Sequence, residues 1–387
     1  MMIPPLDAGR ADVEQLEHAQ VEAYLARFLG CELTVESIAE LGGESSGAVA
    51  LKALGYGRPL MVTYRCNGEE GRLVLRAVRR NGCGRERTSD RVAEMWRDFH
   101  TFNRLPRHVE ARDLIGVRDD GELESLAHLR ELLLLTDYAP GTPYAGDLLR
   151  LRDEGTVAPG DVVRTRTLAR YLAKIHSLKH SDPLLWRRRL RDLIGHGEGI
   201  MGLADSYPQP HPPNNRPAIP MATVESLQAV EVAANRWRWW LKPYVHRLSQ
   251  VHGDFHPFNI LFTEEADSDF HLLDRSRGEW GEPADDVSCL TINYLFFSMQ
   301  RHGRLAPPFA ELYATFWETY LAESGDEELV HVIAPWYAWR ALVLASPQWY
   351  PTLDDGVRRG LLSFARTVLE DSHFDWQNVN DYLRVGL

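Results

Sequence analysis

The sequence predicts an α+β protein in two lobes: a small antiparallel-sheet lobe followed by a larger, mostly helical one. Three observations carry this. Apolar residues alternate with a period of two between Leu33 and Val78, a Pro- and Gly-bearing break interrupts the chain at Asp137 to Pro143, and beyond it the apolar spacing is almost everywhere that of a helix. With 387 residues, 44% hydrophobic and 25% charged, the chain has room for two lobes and a self-sufficient core.

Along the first lobe, Val13 to Leu29 reads as a helix, with Val21, Tyr24, Leu25 and Phe28 on one face and Gly30 as its stop. Leu33 to Leu41, Ala48 to Leu54, Leu60 to Arg65 and Arg72 to Val78 read as strands of a meander, divided by turns at Gly42-Gly43, Gly55 to Gly57 and Asn67-Gly68. A helix from about Ser89 to Leu105 follows, with Val92, Met95, Trp96, Phe99 and Phe102 on an apolar stripe. Leu114 to Val117 and Glu131 to Tyr138 read as two more strands. The boundary is set there, giving lobes 1–138 and 139–387.

In the second lobe Thr165 to Ser177 and Val224 to Leu241 are amphipathic helices, and six prolines between Tyr207 and Pro220 mark an irregular loop. Strand character returns only at Asn259 to Phe262 and Phe270 to Asp274, joined by a turn. Helices run on to the end, and no internal repeat is present.

Composition narrows the function classes. A formal net charge of −12 disfavours non-specific binding to nucleic acid or anionic membrane and favours cationic small molecules. Four scattered cysteines, without a CxxC pair, speak against a zinc ribbon and a disulfide framework, and suit a reducing cytoplasm. No basic and apolar leader opens the chain and no apolar run is long enough to span a bilayer, so neither export nor membrane insertion is expected. The arginine-rich stretches Trp186 to Arg191 and Arg236 to Trp240 have helical spacing that puts tryptophans inward and arginines toward water or acids, which makes them a poor nucleic-acid platform.

The segment that carries chemistry is Val251 to Phe262. Polar groups fit for proton transfer and metal binding crowd one short loop, and an apolar strand supports them at once. If the two short strands pair, Asn259 at the start of one lies beside Asp274 at the end of the other, an amide oxygen and a carboxylate together, a donor pair suited to Mg²⁺. Asp254 is left to accept or orient the proton of a nucleophilic hydroxyl, the logic of phosphoryl transfer. A rival reading sets His252, Asp254 and His256 on one face of an extended segment as ligands of a metal-dependent hydrolase.

HGDFHPFNILF (252–262) followed by FHLLDRSRGEWGEPADDV (270–287) resembles the catalytic loop and metal-binding segment of the aminoglycoside phosphotransferase and choline kinase family, of protein-kinase-like fold. The resemblance spans about Leu33 to Tyr337 and implies a kinase that moves the γ-phosphoryl of ATP or GTP to a small-molecule hydroxyl. It implies Asp254 as catalytic base, Asn259 and Asp274 as Mg²⁺ ligands, and Asp286 as the buried brace of the catalytic loop; His252 and His256 read as loop-bracing residues rather than ligands.

The first lobe fits on its own terms. Between two predicted strands, Gly42, Gly43, Ser45 and Ser46 form a turn whose backbone N–H groups and hydroxyls suit phosphate oxygens. Arg76, flanked by apolar residues, needs an anionic partner or an exit to solvent. In the family that strand position contacts nucleotide phosphates and pairs with an acid on the next helix; Glu94 and Asp98 both face the strand, and Glu94 has the better reach. The resemblance makes Glu131 to Tyr138 the strand between lobes, with the Thr136 to Ala139 backbone, Thr136 and Tyr138 included, receiving the adenine. It also places the acceptor site in helices of the second lobe, with an insertion at about 192–250. Candidate lining groups are Glu198 in its Gly-rich turn, Asp205, Glu279, Trp280, Asp285 and Trp336, acids and aromatic faces that suit an amine or an aminated sugar. A catalytically silent nucleotide-binding protein of the same fold is the alternative.

Overall fold

A computed structural model describes residues 17–41, 59–208, 222–263 and 266–383. The chain divides into two compact units, Met1–Thr136 and Asp137–Leu387. An antiparallel-sheet unit followed by a mostly helical one is the organisation of the protein-kinase-like fold.

In the first unit, α1 (His18–Leu29) ends at Gly30, whose φ of +68° is the left-handed stop the sequence predicts. Three strands form one antiparallel sheet: β1 (Leu33–Glu40), β2 (Leu60–Cys66) and β3 (Glu69–Leu75). Asn67-Gly68 turns β2 into β3 with both residues at positive φ. The small core joins Val21, Tyr24 and Leu25 of α1 to Leu33, Val35 and Val62 of the sheet and to Leu123 of β5 (Leu123–Ser125), which pairs with β4 (Ile115–Val117).

Several expectations for this unit are corrected. Cys31 and Cys66 are joined in a disulfide, where the sequence suggested none. The β1–β2 register puts Leu33 opposite Cys66, which brings Cys31 within reach although 35 positions separate the two. The helix α2 (Thr88–Phe102) forms, but its apolar stripe buries no residue. Residues 131–140 contain no strand: Leu133, Leu134 and Leu135 are 93%, 91% and 95% exposed within this run, and an apolar stretch without a hydrogen-bonded neighbour is not a strand. The turn of Gly42, Gly43, Ser45 and Ser46, and the strand expected at Ala48 to Leu54, lie outside the described residues.

The second unit opens with β6 (Thr142–Pro143), α3 (Tyr144–Glu154), α4 (Pro159–His176), α5 (Pro183–Gly195), α6 (Ile200–Ser206) and α7 (Val224–Leu241). Then come β7 (Ser249–Gln250), β8 (Ile260–Phe262), β9 (Phe270–Leu272) and β10 (Trp280–Gly281). The chain continues through α8 (Pro283–His302), α9 (Phe309–Ser324), α10 (Leu329–Val332), α11 (Ala334–Ala345) and α12 (Asp355–Thr367).

Every residue of α8 from Pro283 to Met299 is buried, so α8 is the axis around which α3, α4, α9 and α11 pack. Buried hydroxyls meet across α3 and α8, those of Tyr144 and Tyr294 lying 3.0 Å apart. Two small ladders frame the loop of interest. β6, β8 and β9 form one sheet, and β7 pairs with β10 through Gln250 and Trp280. Among the described residues no helix is long and apolar enough to cross a membrane.

Candidate active site

Residues 251–259 run from β7 through a short 3₁₀ turn (Pro257–Asn259) into β8. Their entry is fixed by the Val251 N–H, which donates to the Glu279 carbonyl at 2.9 Å, and by Arg275, which donates twice to the Val251 carbonyl. Asp286, in the first turn of α8, accepts the backbone N–H of His252 and of Gly253, both at 2.7 Å. His176 of α4 reaches the same carboxylate through Nε2 at 3.2 Å. Burial would raise the Asp286 carboxyl, yet His176 and the His252 N–H outweigh it and hold it below its ordinary value. A buried carboxylate is thus consumed in holding two consecutive backbone amides, the bracing position expected for it.

Gly253 has a φ of +88°, and a Cβ there would meet the Cβ of Arg277 at 3.1 Å, so only glycine fits both the turn and the neighbour. His252, buried, accepts the Asp254 N–H on Nδ1, and Phe255 is buried against Tyr171. His256 accepts the Phe258 N–H on Nδ1, and burial pushes it down to about 4, so it is neutral near pH 7. Both imidazoles are loop-bracing groups. Among the described residues no cluster of three or more His, Cys, Asp or Glu is placed to hold a metal, His252, Asp254 and His256 included.

The Asp254 carboxylate is held from three directions. Its Oδ1 accepts from Arg340 Nη1 at 2.8 Å and Arg277 Nη1 at 3.0 Å, and its Oδ2 accepts from Asn259 Nδ2 at 3.2 Å. Burial alone would raise this carboxyl, but Arg340 and Arg277 outweigh it and hold it well below the usual carboxylate range. Arg340, buried on α11, also donates to Asp285 at 2.7 Å, and Asp285 accepts from Arg189 of α5 at 3.3 Å. Both Arg277 and Arg340 lie against the Trp339 ring, 4.6 Å and 4.2 Å from its centre.

Asn259 and Asp274 are brought together as the hairpin pairing requires. Ile260 pairs with Leu272, and the Leu273 N–H donates to the Asn259 carbonyl at 2.9 Å, which leaves Asp274 next along the chain, exposed, at φ +54°. Because the Asn259 amide nitrogen donates to Asp254, its amide oxygen points the other way. An amide oxygen and a carboxylate are hard-oxygen donors of the kind Mg²⁺ takes.

The other expected residues fare unevenly. Arg76 is exposed and lies over the Phe102 ring at 5.4 Å; its expected partner Glu94 is instead paired with Arg85 at 2.6 Å, so the Arg76–Glu94 pair is corrected to Arg85–Glu94. Thr136 and Tyr138 are exposed and belong to no strand. Asp285 and Trp336 are buried, the former between Arg340 and Arg189 and the latter in the core, so neither can line an open acceptor site. Trp280 is half-buried against His180, and Glu279 beside it is half-buried. Asp205 is exposed on α6.

Glu198 sits in the turn between α5 and α6. A Cβ on Gly199 would strike the Asp192 carbonyl at 2.4 Å and one on Gly202 the Gly197 carbonyl at 2.0 Å, so the glycines permit close packing of the two helix ends. The Glu198 carbonyl accepts from Trp339 Nε1 at 2.7 Å, and its carboxylate stands 3.6 Å from Arg277 Nη2. Sequence reasoning missed Arg277, Trp339 and Arg340. The available signal was an arginine inside the otherwise apolar APWYAWRALVLA of α11, a charge that needs a buried partner.

A family model described as the phosphotransferase enzyme family matches residues 60–324, from the first residue of β2 to the last of α9. No curated protein matches the chain. Among solved structures the chain is similar to a glucosamine kinase in complex with glucosamine, ADP and inorganic phosphate, at 18% identity and a TM-score of 0.35. That likeness covers 62% of this chain and 57% of the kinase, so the chain spans little more than half its length. An amicoumacin kinase in complex with AMP-PNP and Ca²⁺ is 13% identical over 88% of this chain and 91% of its own, with a TM-score of 0.38. An aminoglycoside-3'-phosphotransferase of type VIII is 15% identical over 85% of this chain and 99% of its own, with a TM-score of 0.28. The matched stretch exceeds half of the chain and takes in Asp254, Asn259, Asp274 and Asp286: the chain belongs to the phosphotransferase enzyme family.

Proposed function

We propose that the protein is a small-molecule kinase that transfers the γ-phosphoryl group of ATP or GTP to a hydroxyl of a small acceptor, with Asp254 receiving the hydroxyl proton. One observation supports this above the rest. The Asp254 carboxylate is ionised and aimed by two arginines and an amide, on a loop whose backbone is pinned by Asp286.

The acceptor oxygen bonds to the γ-phosphorus as the bond to the β–γ bridging oxygen breaks, and the nucleoside diphosphate leaves. The hydroxyl proton passes to Asp254 Oδ2, the oxygen that Arg277 and Arg340 leave to Asn259, and then to solvent. Asn259 and Asp274 would hold Mg²⁺, which neutralises charge on the phosphates when bound. So low a basicity suits a loose transition state, in which the proton moves late and positioning does most of the work. Contacts from Arg76 and the 42–46 turn to nucleotide phosphate, and from the 136–138 backbone to the base, complete the proposal.

The test is Asp254→Ala. Turnover is expected to fall by about 10² to 10⁴, the usual contribution of a positioned proton acceptor, while calorimetry shows Mg²⁺-ATP affinity nearly unchanged. An unaltered rate removes Asp254 from the reaction; nucleotide binding without turnover in the wild-type chain would favour the silent reading instead.

A further inference from the structure

Two of the four acids expected to greet an aminated acceptor are turned toward arginines. Asp285 is buried between Arg340 and Arg189, and the Glu198 carboxylate leans on Arg277. What faces outward beside Asp254 is a cation. The Arg277 side chain is 22% exposed and its guanidinium lies against Trp339. Its Nη1 is occupied by Asp254 and by the Gly253 carbonyl at 2.8 Å.

Nη2 is different. It faces Glu198 at 3.6 Å, outside hydrogen-bonding distance, and that glutamate side chain is 75% exposed. An exposed pair of this kind is held weakly and is readily exchanged. The Glu198 backbone is anchored to Trp339 through its carbonyl, so its side chain can swing away from Arg277 without moving the turn.

An ammonium placed near Arg277 would be repelled by the guanidinium, whereas a carboxylate or phosphate would gain the planar donors that Glu198 only approaches. Building on the phosphotransferase reading of Asp254, we propose that Arg277, backed by Trp339 and loosely covered by Glu198, docks a carboxylate or phosphate of the acceptor, which makes the substrate a small anionic alcohol. Arg277 reaches Asp254 directly, so the anionic group and the phosphorylated hydroxyl lie only a few bonds apart on that molecule.

The experiment measures nucleoside diphosphate release by the full chain with Mg²⁺-ATP and four probes: D-glycerate, glycerol 3-phosphate, glycerol and ethanolamine. The two anions are expected to be used at least tenfold more efficiently than the neutral and cationic probes, and their ranking separates carboxylate from phosphate. Arg277→Gln should raise KM for the anions about ten- to a hundredfold, the worth of a charged hydrogen bond, with Arg277→Lys retaining part of the preference and Glu198→Gln lowering KM.

Preference for ethanolamine, or an anion preference that survives Arg277→Gln, overturns the inference and leaves the kinase reading intact. Should no probe be used faster than by the Asp254→Ala protein, calorimetric titration of the Mg²⁺-ADP-saturated chain with D-glycerate and glycerol 3-phosphate decides. Binding abolished by Arg277→Gln sustains the anion site; no binding overturns it. Turnover above the no-acceptor background that is equal in wild type and Asp254→Ala would instead remove Asp254 from the reaction, with the same titration still judging Arg277.

Discussion

Arginine–carboxylate contacts occur in both units, and they are built differently. In the helical unit Arg340 is buried and divides its guanidinium between Asp254 and Asp285, with Arg189 and Arg277 completing the cluster. In the sheet unit Arg65 of β2 meets Glu36 of β1 at 2.9 Å, with side chains 50% and 37% exposed. The first arrangement fixes the Asp254 carboxylate; the second ties two strands together at the surface. Charge pairing of one kind thus serves placement where water is excluded and little more than local order where it is not.

Breaking each pair sharpens the contrast. Arg340→Met leaves two carboxylates short of a buried cation and is expected to destabilise the fold by about 3 to 5 kcal/mol, read by denaturant unfolding. The same change shifts the pH profile. In the wild type the Asp254 carboxyl is depressed, so stability and activity that depend on its charge are present above its unfolded value and lost only as pH falls through the low folded value. With Arg340 gone, burial is opposed by Arg277 alone, and the acid limb of kcat/KM should move to higher pH. Arg65→Ala is the small counterpart: about 1 kcal/mol or less, with kcat unchanged; a loss matching that of Arg340 would erase the distinction between the units.

What was legible in the sequence was local. The hairpin that places Asn259 beside Asp274 follows from two short apolar runs and a turn, and the helix Val224–Leu241 from its period alone. Groups that meet across long stretches of chain were not legible. Arg340 lies 86 positions after Asp254, and nothing in the spacing ties a residue of α11 to the loop before β8. The Cys31–Cys66 bond had the same obstacle, since it depends on the β1–β2 register and not on cysteine spacing. The run Leu132 to Leu135 misled in the opposite sense: β-compatible apolar residues imply a strand only when a neighbouring strand supplies the ladder.

The quenched state of Asp254 bears on fidelity toward water. On the proposed reading, water reaching the phosphates would meet a proton acceptor whose affinity for protons two guanidinium groups have drained, so idle hydrolysis would gain little from it. Nucleotide left with the protein and no acceptor should persist, hydrolysing at least a hundredfold more slowly than it is used once a true acceptor is present. Restraint in the empty enzyme and speed in the loaded one would then share a single origin, the grip of Arg277 and Arg340 on one oxygen.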